Sequence, residues 1–274
     1  PEKFVERLKK WRDDPTSDQE LEKWYNDIYK PGAGKVKLSK ASQEAEEEED
    51  IINLNDFEDL YEKYQPDTYG LDNTIEDVKN HSHLLKYEAT EDELQAVEYY
   101  TKSIGCQKMN EALRFPDLKE ITPELKKTIS NLDNLIKKAG PLSQNTIFYR
   151  HDELETLEFL YNPEIRKIAK DVIVNRDADK MLLLKKELID STIQDKGFLS
   201  TSYRQGIFVQ QDGLEIRIHA PKGFKDGLFL EEISKIRSER EYLFAPGQKF
   251  KVLDVEVGEV SGWKENLILH IVPV

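Results

Sequence analysis

Glu239 and Glu241 are separated by one residue in Ser238-Glu239-Arg240-Glu241, directly ahead of the apolar run Tyr242-Leu243-Phe244. Two carboxylates at a loop-to-strand junction share a face and repel each other unless a cation or a substrate lies between them. Such a pair suits a site that must hold a developing positive charge. Tyr149-Arg150-His151 closes the apolar run Thr146-Ile147-Phe148, and a guanidinium leaving a strand can clamp a pyrophosphate through a planar fork that Lys lacks. In Gly197-Phe198-Leu199-Ser200-Thr201-Ser202, strand alternation points Ser200 and Ser202 to one face and Thr201 to the other. Two hydroxyls on one face can orient a carboxylate or bind a ribose. Taken singly, each cluster also fits a plain surface: an ion-paired arginine, a hydroxyl-rich edge strand, a solvated charge run.

The elements that must position these residues are legible as a change of texture along the chain. Phe4, Val5, Leu8 and Trp11, and then Leu21, Trp24, Tyr25 and Ile28, recur at helical spacing. The polar, acid-ended stretch at residues 39–50 reads as a linker, and a short helix is predicted over Asp56–Tyr64. Further helices are predicted from about Glu91, over Cys106–Arg114 and over Pro123–Lys138, whose Leu125, Ile129, Leu132, Leu135 and Ile136 form one stripe. Short β-prone runs follow at Thr146–Arg150, Phe198–Thr201, Leu214–His219, Phe250–Val257 and Leu267–Val272, interrupted by a helical signal in Asp177–Ile189. Helices first and strands later predict an α+β domain.

Composition removes several classes of function. The 274 residues carry a formal charge of −14, which disfavours holding a nucleic acid backbone. No apolar run approaches the roughly 18–20 residues of a membrane span. Pro1-Glu2-Lys3-Phe4 shows no signal-peptide pattern, and a chain that opens on Pro is compatible with a processed or truncated product. Cys106 is the single cysteine, which rules out an intrachain disulfide and reads as a small apolar side chain rather than a nucleophile. Of the five histidines, only His81-x-His83, in an expected loop, has even a hint of ligand spacing, so no metal site is expected.

Order and spacing carry more than any single cluster. An Arg on a strand, then Ser-Thr-Ser, then Glu-x-Glu before an apolar strand resembles the Arg–Ser–Glu class of mono-ADP-ribosyltransferases. Within that class it is most similar to the branch of iota-type binary toxins, vegetative insecticidal protein and Rho-modifying exoenzymes. Tyr99-Tyr100-Thr101 with Asn110-Glu111-Ala112-Leu113-Arg114 resembles that branch's helical entry motif. Glu215–Pro221 resembles its strand ending in Pro, and Glu239–Val252 its Glu-x-Glu, Gly-x-x-Phe segment.

The resemblance implies an ADP-ribosyltransferase-like mixed β-sandwich core with a helical N-terminal part. It divides the chain into a helical region with an acidic linker at 1–88 and a catalytic domain at 89–274. NAD is implied as co-substrate, and a protein arginine as acceptor, because a Glu rather than a Gln stands at 239 and a carboxylate pairs with guanidinium. Glu241 is implied to stabilise the ribosyl cation, with Ser200 orienting it, Glu239 positioning the acceptor and Arg150 holding phosphate. Arg114, Asn110, Tyr100, Ser202 and Phe208 are implied as further NAD contacts, and NAD glycohydrolysis as a side reaction.

Departures from the iota-type pattern are His151 for a second Arg, Gly197 for an Asn, Asp212 where a basic residue is usual, and Ile236 for an aromatic. The last puts actin in doubt as target. The family's habits imply a secreted or injected toxin or a phage-encoded modifier acting in host cytoplasm, with residues 1–85 docking a delivery partner or bracing the domain. The rival readings are an inactive binding module of the same fold and a metal-dependent hydrolase.

Overall fold

The computed structural model describes residues 71–117, 121–206, 213–234, 236–260 and 263–274. The helices expected before residue 65, the acidic linker, Phe208 and Asp212 lie outside the described residues. Of the residues 1–85 expected to dock a delivery partner or brace the domain, 1–70 lie outside as well.

The chain runs α1 (Leu71–Tyr87), α2 (Glu91–Tyr100), α3 (Ser103–Arg114), α4 (Pro123–Lys138), β1 (Thr146–Asp152), α5 (Thr156–Leu160), α6 (Pro163–Asn175) and α7 (Ala178–Leu188). It continues as β2 (Thr192–Gln194), β3 (Leu199–Ser202), β4 (Leu214–Ala220), β5 (Gly227–Phe229), β6 (Glu241–Phe244), β7 (Lys249–Val260) and β8 (Trp263–Pro273). The strands form one mixed sheet in the order β2-β7-β8-β4-β1-β3-β6-β5. Only β4 and β8 run parallel among its pairs. The expected α+β architecture is present, with helices leading and strands following.

Local chemistry starts the helices where the sequence signals it. Thr90 closes a capping box on α2: its hydroxyl accepts from the Glu93 amide at 3.3 Å, and the Glu93 carboxylate accepts from the Thr90 amide at 2.8 Å. Thr122 caps α4 and Asn162 caps α6, each followed by Pro at the first helical position. α6 was not anticipated, although Asn162-Pro163 and the buried stripe Ile165, Ile168, Ala169, Val172 and Ile173 are helix signals. His81 and His83 stand in α1 rather than in a loop. The Nδ1 of His81 accepts the Phe229 amide at 3.0 Å, and burial lowers its pKa to about 4, so it serves the fold as a neutral imidazole. Among the described residues no group of three His, Cys, Asp or Glu side chains could hold a metal ion, and no helix is long and apolar enough to cross a membrane.

Both faces of the β3-β6-β5 edge are covered. Tyr242, Phe244 and Phe229 join a core with Phe148 and with the inner faces of α6 and α7. Leu243, Leu228, Leu230 and Phe198 join a second core with α1, α2, α3 and α4. This two-sided burial explains why Glu241–Phe244 reads as a continuous apolar run after its first residue. Alternation then places Glu241 on the Leu243 side, toward α2. Each fully buried aromatic contributes about 1.5–3 kcal/mol of transfer free energy, so the strand carrying Glu241 is fixed by its neighbours.

Candidate active site

Three strands meet at the site. Ser202 pairs with Tyr149 of β1 on one side and with Glu241 of β6 on the other, and Ser200 pairs with Leu243. Register therefore brings the Arg, Ser-Thr-Ser and Glu-x-Glu segments onto adjacent strands, although they lie some 40 to 90 positions apart in the chain. The pocket above them is lined by Arg150, Ser200, Ser202, Glu239 and Glu241, with Tyr149, His151 and Thr201 completing the wall.

The two glutamates reach this pocket by a route that strand alternation does not describe. Arg237–Glu239 forms a single 3-10 turn, Arg240 takes a left-handed conformation (φ 48°), and β6 begins at Glu241. A reversal at Arg240, rather than a shared strand face, makes the carboxylates converge. A left-handed backbone is costly for a residue with a Cβ, and tethers hold it here. The Arg240 carbonyl accepts from the Tyr203 amide at 3.3 Å and from the Ser202 hydroxyl at 3.4 Å. Its Nη1 donates to the Tyr203 hydroxyl at 2.9 Å, and that hydroxyl donates to Glu231 at 2.5 Å.

The carboxylates differ in environment. Glu241 is buried, and desolvation lifts its pKa to about 7; the hydrogen bond from Ser200 pulls it down, and the charge of Glu239 pushes it up. Glu239 is half-buried and is also raised by desolvation. Glu241, with a pKa of about 7, thus lies inside the pocket while the less buried Glu239 stands at its rim, so the two carboxyls occupy different environments.

Arg150 donates Nε and Nη2 to the two oxygens of Asp152 at 2.7 and 2.8 Å, and Nη1 to the Ser200 carbonyl at 2.9 Å. Burial opposes its charge, and Asp152, with Asp195 behind it, more than offsets that and raises its pKa. The ion pair foreseen as the plain reading of Arg150 exists, but it is built into the pocket wall.

The remaining expected residues fall at different depths. Asn110 and Arg114, near the end of α3, flank Gly197: a Cβ there would lie 2.7 Å from Asn110 Oδ1 and 3.0 Å from Arg114 Nε. Asn110 Oδ1 accepts the Phe198 amide at 2.8 Å. The departure at Gly197 thus sits at a close approach, where any side chain would require Asn110 or Arg114 to shift. Tyr100 is fully buried beneath the pocket, edge-on to Phe198 at 5.6 Å, with Cys106 and Glu241 nearby. Ser202 ties the Arg240 turn and also accepts the Arg204 amide at 3.1 Å.

His151 packs against the fully buried Glu215, its Nε2 3.2 Å from Oε2 but not aligned as a hydrogen bond. Burial lowers its pKa despite Glu215. Asp152 and Asp195 were missed by sequence reading. Asp152, two residues beyond Arg150, carried a strand-spacing signal; Asp195 carried none.

A family model for ADP-ribosyltransferase exoenzymes matches residues 67–272. The chain belongs to the ADP-ribosyltransferase exoenzyme family. Solved structures agree at the level of the fold. Plx2a, an ADP-ribosyltransferase toxin from Paenibacillus larvae, matches with a TM-score of 0.58 and 20% identity over 72% of this chain and 92% of its own. C3stau2 from S. aureus, solved with NAD, matches with a TM-score of 0.58 and 18% identity over 73% and 95%. BECa of a C. perfringens binary enterotoxin, solved with NADH, matches with a TM-score of 0.58 and 20% identity over 74% of this chain but 48% of its own. No curated protein matches the chain.

Proposed function

We propose that this chain is a mono-ADP-ribosyltransferase that takes NAD as substrate and transfers ADP-ribose to an arginine of a target protein. The observation that carries the reading is the convergence of Arg150, Ser200, Glu239 and a buried Glu241 with a pKa of about 7 in one pocket. In the reaction the bond between nicotinamide and ribose C1′ breaks, and its electron pair leaves with nicotinamide. The ribosyl group develops oxocarbenium character, as in glycoside cleavage. Glu241, oriented by Ser200, accepts a hydrogen bond from a ribose hydroxyl and stabilises that charge. Glu239 pairs with the acceptor guanidinium and takes the proton released as its nitrogen bonds to C1′. Arg150 holds the diphosphate through the N–H groups its aspartate leaves over. Arg114, Asn110 and Ser202 border the NAD path in this reading, and Tyr100 supports it from below.

Water entering in place of the acceptor gives NAD glycohydrolysis as a side reaction. The family, and the toxins this fold is similar to, support a secreted or injected enzyme working in a host cytoplasm, with residues 89–274 as its catalytic part. The test is incubation of the chain with NAD and host-cell lysate, followed by mass-spectrometric mapping of ADP-ribosylated side chains. ADP-ribose on arginine is the expected product; modification confined to another residue type overturns the acceptor assignment. Glu239→Ala is expected to lose transfer and retain hydrolysis, and equal loss of both contradicts the division of labour.

A further inference from the structure

Arg114 ends α3, and its guanidinium grips Asp195, just after β2, in a two-point fork: Nε to Oδ1 at 2.8 Å and Nη2 to Oδ2 at 2.6 Å. Asp195 is itself pinned. Its Oδ1 also accepts the Gly197 amide at 2.8 Å, and its carbonyl accepts the Gly247 amide at 2.9 Å. The pair is half-buried, with Arg114 34% and Asp195 19% exposed. Arg150 is held in the same way, with Nε and Nη2 on Asp152, and Arg150 lies within the electrostatic reach of Asp195. Asp195 thus grips Arg114 and adds its negative charge to that of Asp152 at Arg150. In each guanidinium the aspartate takes the Nε–Nη2 edge, and Arg150 gives one further N–H of Nη1 to the Ser200 carbonyl, which leaves each arginine N–H groups at its far end for an oxyanion.

From this geometry we propose that Asp195 is a positioning residue for the dinucleotide. It holds Arg114 so that the outer guanidinium edges of Arg114 and Arg150 present two preset donors to the two phosphates of NAD. The inference rests on the NAD-dependent reading above. A free arginine side chain loses rotamer freedom on binding, and Asp195 removes that cost in advance while ordering the loop that leads into Ser200. Its negative charge also opposes an incoming diphosphate. Solvent at this partly exposed position screens that opposition, whereas the fork acts at hydrogen-bond distance, so positioning outweighs repulsion.

The experiment measures nicotinamide release against NAD concentration for the full chain and its Asp195→Ser, Asp195→Ala, Asp195→Asn and Arg114→Ala variants. Thermal unfolding verifies that each is folded. Serine at 195 can still accept the Gly197 amide through the same local turn but is too short to fork Arg114, so it separates loop order from arginine positioning. Asp195→Ser and Asp195→Ala are expected to raise KM for NAD by about tenfold, the loss of a charge-assisted contact, with kcat within about threefold. Asp195→Asn, which keeps an acceptor toward Nε, is expected to recover most of the affinity. Adding Asp195→Ser to Arg114→Ala is expected to change nothing further, because the first acts through the second.

An unchanged KM in Asp195→Ser beside an active wild type overturns the inference and leaves the functional reading standing. A lowered KM in both Asp195→Ser and Asp195→Asn also overturns it, since the aspartate then merely repels the substrate. A wild-type chain that releases no nicotinamide from NAD removes the functional reading and this inference together.

Discussion

Arg150 donates its Nη1 to the backbone carbonyl of Ser200 at 2.9 Å, so the residue read as the phosphate holder and the residue read as the orienter of Glu241 belong to one hydrogen-bonded unit. Displacing the guanidinium therefore disturbs both ends of the site. Arg150→Lys keeps the charge but loses the fork on Asp152 and the reach to Ser200. It is expected to lower kcat/KM for NAD by about one hundredfold, in the range of two lost charge-assisted hydrogen bonds. Steady-state nicotinamide release is the check, and a loss of less than threefold contradicts the linkage.

The acid limb of the pH–rate profile follows from Glu241. In the proposed reaction its ionised form accepts the ribose hydroxyl, and its pKa lies at about 7, so kcat/KM for NAD hydrolysis is expected to rise through that pH and level off above it. The Ser200 hydrogen bond lowers this pKa and the Glu239 charge raises it. Ser200→Ala is thus expected to move the limb to higher pH, and Glu239→Gln to lower pH. Both limbs moving the same way would contradict the assignment.

Stability has a matching signature. A carboxyl raised in the folded state from its ordinary 4.5 to about 7 contributes fully below the lower value, and that contribution is lost as pH rises through the upper one. Glu241→Gln is expected to stabilise the fold at pH 8 by up to about 3 kcal/mol, at 1.36 kcal/mol per unit. Near pH 4 the difference vanishes. Chemical denaturation at the two pH values reads it directly.

Much of this was legible because it is local. The stripe on Pro123–Lys138 marks a helix from a few neighbouring residues, and the caps found in the structure, Thr90 with Glu93 and Thr122 with Pro123, are signals of the same local kind. The order of Arg150, Ser200, Glu239 and Glu241 was legible too, as a resemblance. The sheet register that joins them was not, since Tyr149, Ser202 and Glu241 meet only through long-range pairing. The pairing of Arg114 with Asp195 spans 81 positions, and nothing in periodicity or composition announces it. The left-handed turn at Arg240 hid for another reason. Arginine is a poor marker of that conformation, and tethers from Ser202, Tyr203 and Glu231 impose it.

That turn is testable by conformational preference. Arg240→Val places a β-branched residue at φ 48° and is expected to cost about 1–3 kcal/mol and to disperse the glutamates. Arg240→Gly relaxes the backbone while cutting the side-chain tether, and is expected to stay within about 1 kcal/mol of wild type. Thermal unfolding ranks the two, and a Val variant as stable as the Gly variant contradicts the strain account.

Gly197→Ala probes the close approach beside α3. The added methyl would meet Asn110 Oδ1 at 2.7 Å and Arg114 Nε at 3.0 Å, so one of them must shift. The expected result is about 1–3 kcal/mol of destabilisation together with a raised KM for NAD. An alanine variant with unaltered KM and melting temperature would show that the packing there is loose.

The central claim, that Glu241 stabilises the ribosyl cation when NAD is cleaved, is met most directly by nicotinamide release from NAD by Glu241→Gln at pH 8, without a protein acceptor. The side chain is isosteric and the fold is expected to be more stable, so lost activity cannot be laid to unfolding. The account predicts a fall in kcat of at least about one hundredfold, the scale of a lost electrostatic stabiliser. Release at near wild-type rate would contradict it.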